Sequence, residues 1–234
     1  MELSGKRVLV TGGALRVGRE ISKAFARAGA KIVIHYRDSE KEAQQLVEEL
    51  GGAEAGHSCI RFDLSDPSSL PDLGQLDVLI NNASLFLQRK LSEEQLADAK
   101  RQFDVNFFAP MELVKRFAAQ PGDNELAVVN ILDQRICKTD SQSFSYALSK
   151  KALAEATLAA ALQLAPRVRV NGLAPGPVFP PKGMENSKMR KTLESIPLHK
   201  AVSPQDLAEA CVFLASNSSI AGALLPVDCG QHLL

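Results

Sequence analysis

Short β-branched runs alternate with amphipathic helical stretches along the whole of this chain. Residues 6–11 (KRVLVT) read as a strand that stops at Gly12 and Gly13. From about Val17 the spacing turns helical, with Ile21, Ala24, Phe25 and Ala28 on one face, and ends at Gly29. Residues 31–35 (KIVIH) give a second strand, and 39–50 a charged helix closed by Gly51 and Gly52. Further strands are expected at 58–62, 76–80, 126–131, 167–173 and 224–227, with helices at about 92–119, 143–164 and 204–215. This alternation predicts an α/β fold, a doubly wound parallel sheet of about seven strands with helices on both faces. A length of 234 residues suits one domain. Residues 178–201, in a stretch rich in Pro, Lys and Met, are expected to form a mobile substrate lid.

Composition narrows the partners. Lys plus Arg and Asp plus Glu are 27 each, so no bulk charge calls for nucleic acid or an anionic membrane. No apolar run approaches the ~18 residues of a membrane-spanning helix. Cys59, Cys137, Cys211 and Cys229 are scattered, which suits free thiols in a cytoplasmic protein. His35, His57, His199 and His232 show no metal-ligand spacing, so no metal site is expected.

Two motifs carry chemistry. In residues 11–18 (TGGALRVG), Gly12 permits a tight turn and Gly18 a close helix–sheet approach. The amides opening the helix, Val17 among them, would face a pyrophosphate, favoured there by the helix dipole. A dinucleotide is therefore expected, although many strand–helix joins carry glycine for structure alone. The second strand leaves through His35-Tyr36-Arg37-Asp38-Ser39, where an NAD site usually has an acidic residue for the ribose. Arg37, helped by Arg16, would pair with a 2′-phosphate, which points to NADPH. Asp38 leaves open that this is simply a solvated charged loop. The second motif is Tyr146-x-x-x-Lys150, whose spacing puts both side chains on one helix face. A neighbouring ammonium would lower the phenol pKa and let Tyr146 exchange a proton near neutral pH.

Together these residues resemble the short-chain dehydrogenase/reductase family, whose fold is a Rossmann-type sheet. The resemblance extends through Asp63-Leu64, Asn81-Asn82-Ala83, Asn106, Asn171-Gly-Leu-Ala-Pro175-Gly176 and the closing Val227-Asp228-Cys229-Gly230. It implies that Asp63 and Leu64 hold the adenine, while Asn82 and Ala83 line the ribose with Ser84 beside them. Tyr36, Arg37 and Ser39 would meet the adenosine phosphate end, and Pro175, Gly176 and Val178 the nicotinamide. Lys150 would hold the ribose and tune Tyr146, Asn106 would support a proton-relay water, and the chain would form a homotetramer or homodimer.

Two departures from most of that family point one way. Asp133 stands where a serine usually precedes the tyrosine, and Arg16 replaces the middle glycine of the turn. Both resemble the pteridine reductase branch, including dihydromonapterin reductases, as do His35-Tyr36 with Ser39 and the aromatic Phe86. A serine hydroxyl suits a ketone oxygen, whereas a carboxyl group can orient or protonate the nitrogens of a pterin. Phe86 would stack on the flat ring, with Arg16, Asp133 and Tyr146 framing the substrate. Asp133 as a strand-end cap and Phe86 as core filling are the structural alternatives. The resemblance thus implies hydride transfer from NADPH to a small-molecule pterin. The rivals are a carbonyl reductase acting on 3-oxoacyl thioesters or sugars, and a cofactor-sensing protein without turnover.

Overall fold

The computed structural model describes residues 1–179 and 186–234. Seven strands form one parallel sheet: β1 (Arg7–Val10), β2 (Lys31–Tyr36), β3 (Ser58–Arg61), β4 (Val78–Asn81), β5 (Leu126–Ile131), β6 (Val168–Pro175) and β7 (Leu224–Val227). Their order across the sheet is β3-β2-β1-β4-β5-β6-β7. The helices are α1 (Arg16–Arg27), α2 (Glu40–Glu49), α3 (Leu96–Phe103), α4 (Ala109–Ala118), α5 (Phe144–Leu164), α6 (Asn186–Ser195) and α7 (Pro204–Ser216).

Most strand residues are apolar because both faces of the sheet are covered. Val8, Val10, Ile32, Ile34, Val78, Ile80 and Val129 pack with Ile21 and Phe25 of α1 and Leu207, Cys211 and Leu214 of α7. Their neighbours along the strands, Leu9, Val33, Leu79 and Val128, point the other way, against Ala109, Leu113 and Phe117 of α4 and Ala161 of α5. Period-two alternation thus feeds two cores instead of one core and a wet face.

Strand order reverses between β1 and β4, opening a crevice at their carboxyl ends. That crevice is laced by polar side chains. Thr11 Oγ1 accepts from the amides of Asn82 (2.9 Å) and Ala83 (3.0 Å), and Asn82 Nδ2 donates to the Thr11 carbonyl at 2.8 Å. One layer below, Asn81 donates to Asn130, its register partner on β5, at 2.8 Å. Asn130 in turn donates to Thr157 of α5 at 2.9 Å, tying three elements beneath the site.

One expectation needs correction. The single helix at about 92–119 is broken: α3 and α4 flank a π-helical turn over Asp104–Phe108. Pro110 in the first turn of α4 has no N–H to give, which favours a new helical start there. Within the 178–201 stretch expected to form a lid, Asn186–Ser195 is the helix α6. Residues 180–185 of that proposed lid lie outside the described residues. Among the described residues, no helix is long and apolar enough to cross a membrane.

Candidate active site

The glycine turn has the shape its residues demand. Gly12 lies at φ +61°, in the left-handed region. A Cβ on Gly18 would sit against the Gly12 carbonyl oxygen and 2.6 Å from Asn82 Nδ2. No side chain caps the amino end of α1 and its first turn holds no acid, so its amides are left for an anionic ligand. Arg16 keeps the left-handed backbone (φ +51°) although it carries a side chain, and its guanidinium lies 5.3 Å from the centre of the Phe179 ring. Beneath the turn, buried His35 accepts from the Gly12 amide through Nδ1 (3.0 Å) and donates through Nε2 to the Phe62 carbonyl (3.1 Å). This neutral tautomer is enforced by burial, which lowers the imidazole pKa to about 4.

At the adenosine end the residues divide. Arg37 and Ser39 are at the surface between β2 and α2, and Ser39 makes no capping hydrogen bond. Arg37 is already engaged, its Nε and Nη2 both 2.7 Å from Asp38 Oδ2. Arg61, which sequence reasoning passed over, donates from Nε to the Arg37 carbonyl (3.1 Å) and adds a second guanidinium. Tyr36 ends β2 with its ring in the buried core under α2. Asp63 is exposed beyond β3, and Leu64 is buried next to it. Across the crevice the Gly176 amide donates to the Val227 carbonyl at 3.0 Å, and a Cβ there would lie 2.7 Å from Asp228 Cα. Pro175 and Val178 are half-buried beside it.

Tyr146 and Lys150 share the buried face of α5, as their spacing predicts. Their chemistry differs from the expectation. The Tyr146 hydroxyl donates to Asp133 Oδ2 at 2.9 Å, while Lys150 Nζ donates to the Ile131 carbonyl at 2.7 Å. Burial, reinforced by the Asp133 charge, pushes the Tyr146 phenol well above its usual range. Burial also lowers Lys150 to about 8. The phenol is therefore not lowered by its lysine; it stays protonated, a stored acid. Ser84, placed beside the ribose by resemblance, opposes that upward push on the phenol.

Asn106 lies in the π-helical turn with every polar atom of its side chain committed. Its Oδ1 accepts from the Leu85 amide (2.8 Å) and the Ser84 hydroxyl (3.1 Å). Its Nδ2 donates to the Leu85 carbonyl (2.9 Å) and Ser149 Oγ (3.1 Å). Its side chain therefore fixes the Ser84–Leu85 backbone against α5. Phe86, on the same segment, meets Tyr146 edge to face with ring centres 4.7 Å apart. Arg135, which nothing in the sequence singled out, covers that pair: its guanidinium lies 5.4 Å from the Phe86 ring centre and its Nη1 is 3.1 Å from both oxygens of Asp133.

A seven-stranded parallel sheet with a glycine turn at its switch point and a buried Asp–Tyr–Lys group defines a nucleotide-dependent oxidoreductase. Residues 13–232 match the family model described as enoyl-(acyl carrier protein) reductase. The chain belongs to the short-chain dehydrogenase/reductase family. L-xylulose reductase of Mus musculus is 32% identical over 97% of each chain. FolM alternative dihydrofolate reductase 1 from Brucella canis, solved with NADP, superposes with a TM-score of 0.92 at 34% identity, covering 100% of this chain and 96% of that one. A blue fluorescent protein from a metagenomic library, solved with NADPH, gives 0.89 at 30% identity over 99% of both chains.

Proposed function

We propose that this protein is an NADPH-dependent pterin reductase, converting a dihydropterin to the tetrahydro form. The observation that carries the reading is the Asp133 carboxylate on the Tyr146 hydroxyl, at the place where most of the family has a serine, with Phe86 against the same phenol. The likeness to a FolM reductase supports it.

The residues present fit the cofactor: the uncapped start of α1 for a pyrophosphate, Gly18 and Gly176 where a Cβ would collide, and Arg37, Arg61 and Ser39 for a 2′-phosphate. Gly12, Arg16, Val17 and Gly18 would hold the pyrophosphate, and Asp63 with Leu64 the adenine. Asn82, Ala83, Ser84 and Lys150 would hold the nicotinamide ribose, with Pro175, Gly176 and Val178 against the ring. When bound, NADPH supplies the hydride.

The protein's own part is binding and proton delivery. Asp133 is an acceptor: the Arg135 backbone amide and Nη1 and the Tyr146 hydroxyl converge on it. It suits the N–H and amino groups of a pterin, which it would orient and not protonate. Tyr146, protonated in this environment, delivers its proton from Oη to the ring nitrogen left anionic by hydride addition, and solvent returns a proton to the phenolate after product leaves. The exposed Leu148, Leu158 and Leu162 of α5 support a homodimer or homotetramer.

The test is NADPH oxidation with dihydrobiopterin or dihydromonapterin beside an acetoacetyl thioester. Pterin turnover with an inert thioester is expected. Thioester turnover with inert pterins would make Asp133 and Phe86 structural and leave a carbonyl reductase. NADPH binding with neither turnover would leave a cofactor sensor.

A further inference from the structure

We propose that Arg135 is a positioning residue: it pins Asp133 against the Tyr146 hydroxyl and so governs when that hydroxyl releases its proton. The inference rests on the reading of Asp133, Tyr146 and Lys150 as the reacting group. It goes beyond that reading by assigning work to a residue outside the reacting group.

Arg135 lies in the short helical turn after β5, and its side chain spans the loop between β5 and α5. At one end Nη1 reaches both carboxylate oxygens of Asp133, and the Arg135 amide adds a 2.9 Å bond to Oδ1. At the other end Nε meets Asp140 Oδ2 at 2.5 Å. Asp140 accepts from the amides of Gln142 (2.7 Å) and Ser143 (3.1 Å), the residues immediately before α5. One guanidinium therefore joins the acid at the end of β5 to the turn from which the tyrosine helix starts.

The alternative is a surface ion pair that only stiffens a loop, but three features argue against it. The two carboxylates and the guanidinium are largely buried, with side-chain exposures of 14%, 14% and 28%. The cation also lies over the rings of Phe86 and Tyr146, at 5.4 and 5.8 Å from their centres. Finally, the Asp133 charge beside a buried phenol would hold its proton very tightly, and the Arg135 charge opposes that effect. A planar fork can serve two carboxylates at fixed angles, which an ammonium cannot.

The chain has two tyrosines, so its tyrosine Cζ carbons give two signals when labelled with carbon-13. Tyr146→Phe assigns them by deletion. In Arg135→Gln the Tyr146 signal should shift and its ionisation begin at higher pH than in wild type, and in Asp133→Asn at lower pH. Turnover in Arg135→Gln should fall tenfold or more, with its pH limb displaced in the same direction and NADPH affinity within about twofold. Arg135→Lys should recover only part of this, and Asp140→Asn, which cuts the far end of the link, should reproduce a smaller shift. If Arg135→Gln does not fold, the Arg135→Lys and Asp140→Asn variants carry the same test. A Tyr146 signal whose position and ionisation are the same in wild type and in the Arg135 and Asp140 variants would overturn the proposal. The carbon signal needs no substrate, so inert pterins would refute the substrate reading and leave this inference standing.

Discussion

His35 offers a stability measurement that needs neither substrate nor cofactor. The ring is 2% exposed, bonded to the Gly12 amide and the Phe62 carbonyl, and its pKa is lowered from 6.5 to about 4. The folded state therefore resists a proton that the unfolded chain accepts. Between pH 6.5 and 4 the unfolded state binds more protons, so stability rises with pH across that window. The contribution is complete above pH 6.5 and lost as pH falls towards 4. A displacement of roughly 2.5 pKa units bounds it at about 3 kcal/mol, of which most disappears between about pH 6.5 and 4. His35→Leu removes the titration and leaves the Gly12 amide unpaired, destabilising by about 1–3 kcal/mol at neutral pH. Urea unfolding of both proteins at several pH values isolates the term, because the carboxylates they share cancel in the difference. The stability gap should shrink or reverse by about 2–3 kcal/mol on acidification. Parallel loss in both proteins would refute the burial of a neutral imidazole beneath the turn.

Two more substitutions probe the site from either side. Gly18→Ala places a methyl group against the Gly12 carbonyl and Asn82 Nδ2, so NADPH affinity by fluorescence titration should drop at least about tenfold, with a lower melting temperature. Tyr146→Phe removes the hydroxyl that donates to Asp133 while keeping the ring against Phe86. Turnover should fall by about 10²–10⁴ with cofactor affinity nearly intact, and retained turnover would place the proton donor elsewhere.

Much of the architecture was legible because it rests on local pattern. Alternating apolar strands and amphipathic helices, punctuated by Gly12, Gly29 and Gly51, lie where the sheet and its crossovers are found. Legibility stopped where a long-range contact decided the outcome. The break between α3 and α4 is stabilised by Asn106 reaching Leu85 and Ser149, partners distant in the chain that a helical period does not register. Tyr36 reads as an exit-loop residue, yet its ring fits the core under α2. Arg135 resembles any loop arginine until the chain brings Asp133, Asp140 and two aromatic rings around it.

The order of elements, the glycine turn and the placing of Tyr146 and Lys150 on one helix face are already written in the residue order. Those follow from backbone sterics and from helical and strand periods, which act over a few residues. The protonation chemistry arises only on folding. Burial, which lifts the Tyr146 phenol and lowers His35 and Lys150, is a property of the packed interior. Tyr146 and Lys150 are neighbours in both descriptions, yet in the folded protein the tyrosine bonds to Asp133 and the lysine to the Ile131 carbonyl. Adjacency on a helix sets which groups can meet. The low dielectric and the third partner set which of them holds the proton.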